Sequence, residues 1–167
     1  SGAGVQPIIG CQISVAYDAP APGEAPKPPA ALVLLAQNDA GYQNLLKLNS
    51  CLYVDKHDGL PQVTLEELER YAEGLICLSG GAEGPVGQLL QIGHRAEAEA
   101  LMSRLARAYA DRLYVELQRH PTETGQLPEA ERLTERGFIE MAYAMGLPLV
   151  ATNDVYFPKS SLYEAHD

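Results

Sequence analysis

Positive charge is scarce in this chain: 12 Lys and Arg stand against 22 Asp and Glu, a formal net charge of −10 at pH 7. Binding a phosphate backbone needs clustered Lys and Arg, so direct nucleic-acid binding by this segment is not expected. Only RYAEG and HRAE carry local positive charge, and acids sit beside both. No apolar run approaches the roughly 20 residues that span a bilayer, which argues against a membrane protein and for a soluble, globular one. The opening SGAGVQPIIG lacks the basic region and small-residue cleavage site of a secretory signal, so a cytoplasmic location is expected. Cysteine is limited to Cys11, Cys51 and Cys77, far apart and without a CxxC pair. Each stands among apolar neighbours, which favours small buried hydrophobes in a reducing compartment over a disulfide framework or a zinc knuckle. GxSxG, HExxH and Cys–His arrangements are missing too, so nucleophilic catalysis has no support. At 167 residues the chain is one ordinary domain's length, enough to bury a core.

What is present alternates between strand and helix patterns. QPIIGCQISVAY (residues 6–17) is rich in β-branched residues, and the Pro/Gly/Ala stretch after it reads as a long loop. ALVLLAQ (31–37) is a short apolar run expected of a strand buried on both faces. Beyond the candidate caps Asn38 and Asp39, the recurrence of Tyr42, Leu45, Leu46, Asn49, Leu52 and Tyr53 predicts a helix with one apolar stripe. Thr64 and Glu67 have capping-box spacing for a helix running to Gly74. GLICLSGG reads as strand and tight turn, followed by a short helix and a longer one faced by Leu101, Leu105 and Ala108. DRLYVELQRH alternates as a strand through Leu113, Val115 and Leu117. Pro128 suits the first turn of a helix marked by Ala130, Leu133, Phe138, Met141, Ala142 and Met145, which stops at Gly146 before the last strand, LPLVATND. This order predicts a single α/β domain over residues 1–167, with parallel strands joined by right-handed crossovers.

In such a fold, functional groups gather after the strands' carboxyl ends. There the sequence places Ser79, Gly80 and Gly81, then Gln118, Arg119 and His120, then Asp154, Val155 and Tyr156. Glu116, Gln118 and His120 share a parity and so converge on one pocket. Glu116, His120 and Asp154 are the residue types of a small metal or acid–base site. Without diagnostic spacing they equally suit a capping or Arg-paired Glu116, a surface His120 and a turn Asp154. LSGGAEGPVG precedes a helix but lacks the Walker lysine and GxGxxG spacing, so its glycines are expected to serve a turn. His57 and His94 stand in polar, solvated surroundings, and His166 has no neighbour of note.

GVQPIIGCQ, LVLLAQNDAGYQNLLKL, GLICLSGGAEGPVG, LYVELQRH and GLPLVATNDVYF, in this order, closely resemble the PHP domain of bacterial DNA polymerase III alpha subunits. The likeness runs from about residue 5 to 166, and the NxxGYxNL helix together with ATNDxxF is specific to that family. The resemblance implies a distorted (β/α) barrel at the amino terminus of a long polymerase. Active members bind several metal ions at the carboxyl-end cleft and hydrolyse phosphoesters, in some polymerases as a proofreading 3'-5' exonuclease. The family's opening His-x-His strand and its Asp-His-Gly segment are not in this sequence, so the expected fold is an incomplete PHP-type barrel with its first strands absent.

The family's ligand positions can be followed one by one. Metal-binding relatives carry Glu where this chain has Gln12, His where it has Ala31 and Cys where it has Gly81, while their final Asp-x-His appears as Asp154-x-Tyr156. Glu116 and His120 are then remnants or cleft-lining polar residues. Asp154 is the one retained metal candidate and should bond neighbouring backbone or Gln12. The expected function is therefore a degenerate structural and docking part of the replicative polymerase, with no confident catalytic residue. It needs no cofactor of its own; Mg²⁺ belongs to the nucleotidyltransferase site of the parent DNA-directed DNA polymerase. Its expected partners are the rest of the alpha subunit and a separate proofreading exonuclease subunit. Two alternatives are a live phosphoesterase, exonuclease or pyrophosphatase, using Zn²⁺ or Mn²⁺ and completed by the missing amino-terminal part, and a free-standing PHP-like phosphatase.

Overall fold

β-Branched and aliphatic residues concentrate in six short segments that pair into one sheet. They are β1 (Gly10–Ala16), β2 (Ala30–Ala36), β3 (Val63–Thr64), β4 (Leu75–Leu78), β5 (Leu113–Gln118) and β6 (Leu149–Thr152), in the spatial order β3-β1-β2-β4-β5-β6. The computed structural model describes residues 2–17, 29–54, 61–121 and 125–153. Among the described residues five α-helices lie between the strands: α1 (Asp39–Cys51), α2 (Leu65–Arg70), α3 (Pro85–Gln91), α4 (Arg95–Tyr109) and α5 (Glu129–Met145).

The expectation of parallel strands throughout is corrected. β3 pairs parallel with β1, and β4, β5 and β6 are parallel to one another, but β2 runs antiparallel to both β1 and β4. A parallel pair needs a long crossover, usually a helix. The Pro/Ala-rich sequence between β1 and β2 has no helical pattern, so β2 returns beside β1 in the opposite sense.

Register sorts the strand residues onto two unlike faces. Cys11, Leu34, Cys77 and Leu113 are paired across four strands, as are Ile13 with Leu32 and Val15 with Ala30. All but Cys11 are buried, and they share one core with Leu48 of α1, Leu68 of α2, Val86 of α3, Met102 and Leu105 of α4, and Phe138 and Met141 of α5. The opposite face carries the row Gln12, Val33, Leu78 and Tyr114, with Glu116 and Gln118 further along β5; Gln12 is exposed, Glu116 buried and the rest half-covered. β2 is thus not buried on both faces, as its apolar run suggested. Of the cysteines, Cys77 is fully buried and its thiol is pushed up by desolvation, while Cys11 and Cys51 are only partly buried.

Helix faces also differ from the apolar pattern. On α1 the buried positions are Gly41, Leu45 and Leu48, and the expected stripe members Tyr42, Leu46 and Tyr53 are exposed. The cause is a close approach: a Cβ on Gly41 would lie 1.8 Å from the Gly74 carbonyl oxygen, so the helix turns its glycine side to the sheet and Tyr42 outward. Thr64 and Glu67 do form the capping box, with the Glu67 N–H donating to Thr64 Oγ1 (3.2 Å) and the Thr64 N–H to Glu67 Oε2 (2.7 Å). α2 nevertheless ends at Arg70, short of Gly74. On α5 the inward stripe is Glu131, Thr134, Phe138 and Met141, leaving Leu133 exposed, and Pro128 is the N-cap residue just ahead of the first turn.

Two helix ends offer a test of backbone strain. Ala110 closes α4 at φ 51° and ψ −122°, a conformation suited to glycine, whereas Gly146 closes α5 at φ 65° with open space where a Cβ would stand. Ala110→Gly should raise stability to urea by about 1 kcal/mol and Gly146→Ala should lower it by about 1 kcal/mol. A loss of stability in Ala110→Gly would show that the helix end is not strained.

Candidate functional site

β1, β3, β4, β5 and β6 run in one direction and β2 in the other, so five carboxyl ends and the amino end of β2 share one rim. A cleft of about 360 Å³ opens at this rim on the half-covered face. Its walls bring together Gln12, Ala31, Glu116 and His120, joined by Gln118, Glu131 and Asn153. Gly80 lines the cleft, whereas Gly81 lies buried beside it. Asp154 and Tyr156 lie outside the described residues, as do His57 and His166.

Glu116 is almost fully buried, at 3% exposure, so its carboxyl group must find donors inside the protein. Oε2 accepts from the Gly80 N–H at 3.0 Å, and Oε1 accepts from the Thr152 hydroxyl at 2.5 Å. The Glu116 N–H in turn donates to Ser79 Oγ at 2.9 Å. One residue of β5 is therefore tied to the turn after β4 and to β6. Neither a helix cap nor an arginine is among these partners. The signals for this arrangement were two hydroxyl residues: Ser79 in LSGG, placed at the strand end by the sequence but given no partner there, and Thr152 in ATND, which the sequence reading passed over.

His120 is held at the end of β5 by Glu131. Its backbone N–H donates to Glu131 Oε2 (2.9 Å), and its Nδ1 lies 2.6 Å from Oε1. Glu131 is itself buried on the first turn of α5, where a negative charge is favoured by the helix dipole. With the carboxylate as acceptor, the ring hydrogen sits on Nδ1. Sequence reasoning missed Glu131 because at the start of the helix it took Ala130 and Leu133 as the inner side, while the later stripe members Phe138, Met141 and Ala142 are buried as expected. Beside this pair, Arg119 binds Glu135 through two hydrogen bonds (2.6 and 2.8 Å), which hold the Glu135 carboxyl below its ordinary range.

Gly81 and Gln118 fit each other sterically. Gly81 has φ +55°, and a Cβ built on it would come within 2.6 Å of Gln118 Oε1. A cysteine at this position would need both a strained backbone and a displaced Gln118.

A divalent ion needs several oxygen or imidazole ligands to replace its hydration shell. Here both Glu116 oxygens are occupied by a backbone amide and a hydroxyl, Glu131 grips His120, and Ala31 supplies no ligand atom. Among the described residues no group of three or more His, Cys, Asp or Glu side chains is arranged to hold a metal ion. The described part of the cleft does not fit such an ion.

The family model described as PHP domain matches residues 1–120. DNA polymerase III subunit alpha of Caulobacter vibrioides is 47% identical over 167 residues, covering 99% of this chain and 14% of that protein. The same-named protein of Rickettsia bellii is 36% identical over 165 residues, and that of Pasteurella multocida 38% over 165, each match covering 13% of the longer protein. The chain thus spans about one seventh of the curated relatives it matches.

The account of Glu116 has a direct test. Glu116→Ala leaves the part-buried Gly80 N–H and the Thr152 hydroxyl without their acceptor and should cost about 2 kcal/mol in denaturant unfolding, with Thr152→Val costing about 1 kcal/mol. The double variant should cost less than the sum of the two. A Glu116→Ala loss below about 0.5 kcal/mol would remove the carboxylate as a structural tie.

Proposed function

This chain belongs to the PHP domain family, and from that premise we propose that it is the PHP portion of a replicative DNA polymerase III alpha subunit, serving structure and docking without a hydrolytic metal centre of its own. The observation that carries this reading is the internally satisfied cleft: Glu116 spends both carboxylate oxygens on Gly80 and Thr152, while Ala31 stands on the wall where metal-binding relatives carry His. Removing those donors from Glu116 to bind an ion would cost the strand-end ties described above. Gln12, neutral where relatives carry Glu, supports the same reading.

In this reading the open sheet is part of the family's distorted barrel, and the segment packs against the remainder of the polymerase and a separate proofreading exonuclease subunit in the cytoplasm. Template-directed nucleotidyl transfer and its Mg²⁺ lie elsewhere in the parent chain. The acidic surface leaves DNA contact to other domains.

One observation favours a live phosphoesterase instead. A carboxylate partner on Nδ1, as Glu131 provides to His120, is the common support of metal-bound histidines. The two readings separate in the whole alpha subunit, assayed for Zn²⁺ binding by calorimetry and for hydrolysis of a single-stranded DNA 3' end and of pyrophosphate. The structural reading expects no tight stoichiometric Zn²⁺ and no change in hydrolysis on Asp154→Asn. Tight binding, with hydrolysis lost in that variant, would establish the enzyme.

A further inference from the structure

Two unfavourable features stand side by side in the interior where α4 ends. Tyr109 is fully buried, and its hydroxyl is, among the described residues, the one buried side-chain polar atom without a hydrogen-bond partner. A hydroxyl taken out of water without a partner raises the free energy of the folded state. The next residue, Ala110, is the one non-glycine residue with positive φ among the described residues, at φ 51° and ψ −122°. Backbone of this kind persists only where the surroundings enforce it.

Arg112 supplies that enforcement. Its Nη1 donates to the carbonyl oxygens of Ala72 and Leu75, at 2.6 Å each, and so pins the 3₁₀ turn Ala110–Arg112 to the chain between α2 and β4. Cys77 of β4 is fully buried in the same core as Tyr109 and pairs across the sheet with Leu113, the first residue of β5. Burial, and after it the neighbouring thiol, push the Tyr109 phenol up, so the group stays protonated, a donor without an acceptor.

We propose that residues 109–112 form a latched hinge, which opens locally while the rest of the sheet stays folded. In the open state Arg112 releases its two carbonyls, Ala110 relaxes to negative φ and the Tyr109 hydroxyl reaches water. Opening gives up the burial of one ring and two hydrogen bonds, and it recovers the backbone strain and the hydration of the hydroxyl. It therefore costs less than unfolding the core, and segments of low local cost open first. β5 begins at Leu113, directly after the hinge, and carries Glu116 and Gln118 to the cleft. The latch thus anchors the amino end of the strand that forms the cleft's wall.

Opening uncovers the Cys77 thiol, which gives the readout. In the whole alpha subunit, N-ethylmaleimide should alkylate Cys77 slowly without denaturant, followed by mass spectrometry of its peptide, while hydrogen exchange shows β2 still protected. Tyr109→Phe, which removes the unpartnered hydroxyl, should slow that alkylation about tenfold. Ala110→Gly, which relieves the backbone, should slow it about fivefold. Arg112→Met, which removes the latch, should speed it about tenfold or more and leave the protection of β2 unchanged. Alkylation of Cys77 that proceeds only as β2 loses protection, or at a rate indifferent to both Tyr109→Phe and Ala110→Gly, overturns the proposal.

Discussion

A carboxyl group removed from water must be given donors, and the rim of this fold is organised around meeting that demand for Glu116. The residue sits on the central parallel part of the sheet, where its neighbours are the turn leaving β4 and the end of β6. Gly80 can present its N–H only because the turn adopts a left-handed conformation there, at φ +85°. A side chain at Gly80 would also strike the Ala31 carbonyl, at 2.0 Å. Thr152 supplies the second donor from the far side. The glycine turn, read from sequence as a mere reversal, is thus the element that brings the β4 loop onto β5 and gives the cleft its floor.

Desolvation also explains why the two faces of the sheet behave differently. The helix-bearing face is filled by aliphatic rows with almost no exposure, and a core of this kind contributes roughly 25 cal/mol per Å² of apolar surface removed from water. The opposite face mixes half-covered Val33, Leu78, Tyr114 and Gln118 with exposed Gln12 and buried Glu116. Stability and site are therefore divided between the faces. The first supplies the apolar core, and the second carries the polar ties of Glu116 that hold the strand ends together.

Most of the element order was legible, because hydrophobic period and cap chemistry are local. The capping box at Thr64 and Glu67, the strand 113–118 and the stop of α5 at Gly146 all follow from neighbouring residues. What was not legible depends on partners distant in sequence. The direction of β2 depends on which strand it meets, the outward turn of Tyr42 on the backbone of Gly74, and the first inward turn of α5 on a glutamate whose purpose is a histidine eleven positions earlier. A buried Glu in an otherwise apolar stripe reads as a solvated residue until His120 is seen beside it. At the site, parity correctly put Glu116, Gln118 and His120 on one wall, but it could not reveal that Ser79 and Thr152 are the groups that satisfy the strand.

The residues that depart from the metal-binding pattern make electrostatic sense as a set. Glu83, Glu116 and Glu131 already bring three acids to a cleft of a chain whose net charge is −10. With cations present, a further carboxylate at position 12 would be a ligand. Without them, it would be an additional like charge on the solvent-exposed wall across the cleft from Glu116. Gln12 keeps the hydrogen-bonding capacity and drops the charge. Ala31 has the complementary logic, since an imidazole with no ion to bind would need its own partner in the wall beside Gly80. Glu116 and Glu131 can remain because each has internal donors: an amide and a hydroxyl for one, the backbone and ring of His120 for the other. Burial and partners go together for these two acids: each is kept out of water only where the fold itself supplies its donors.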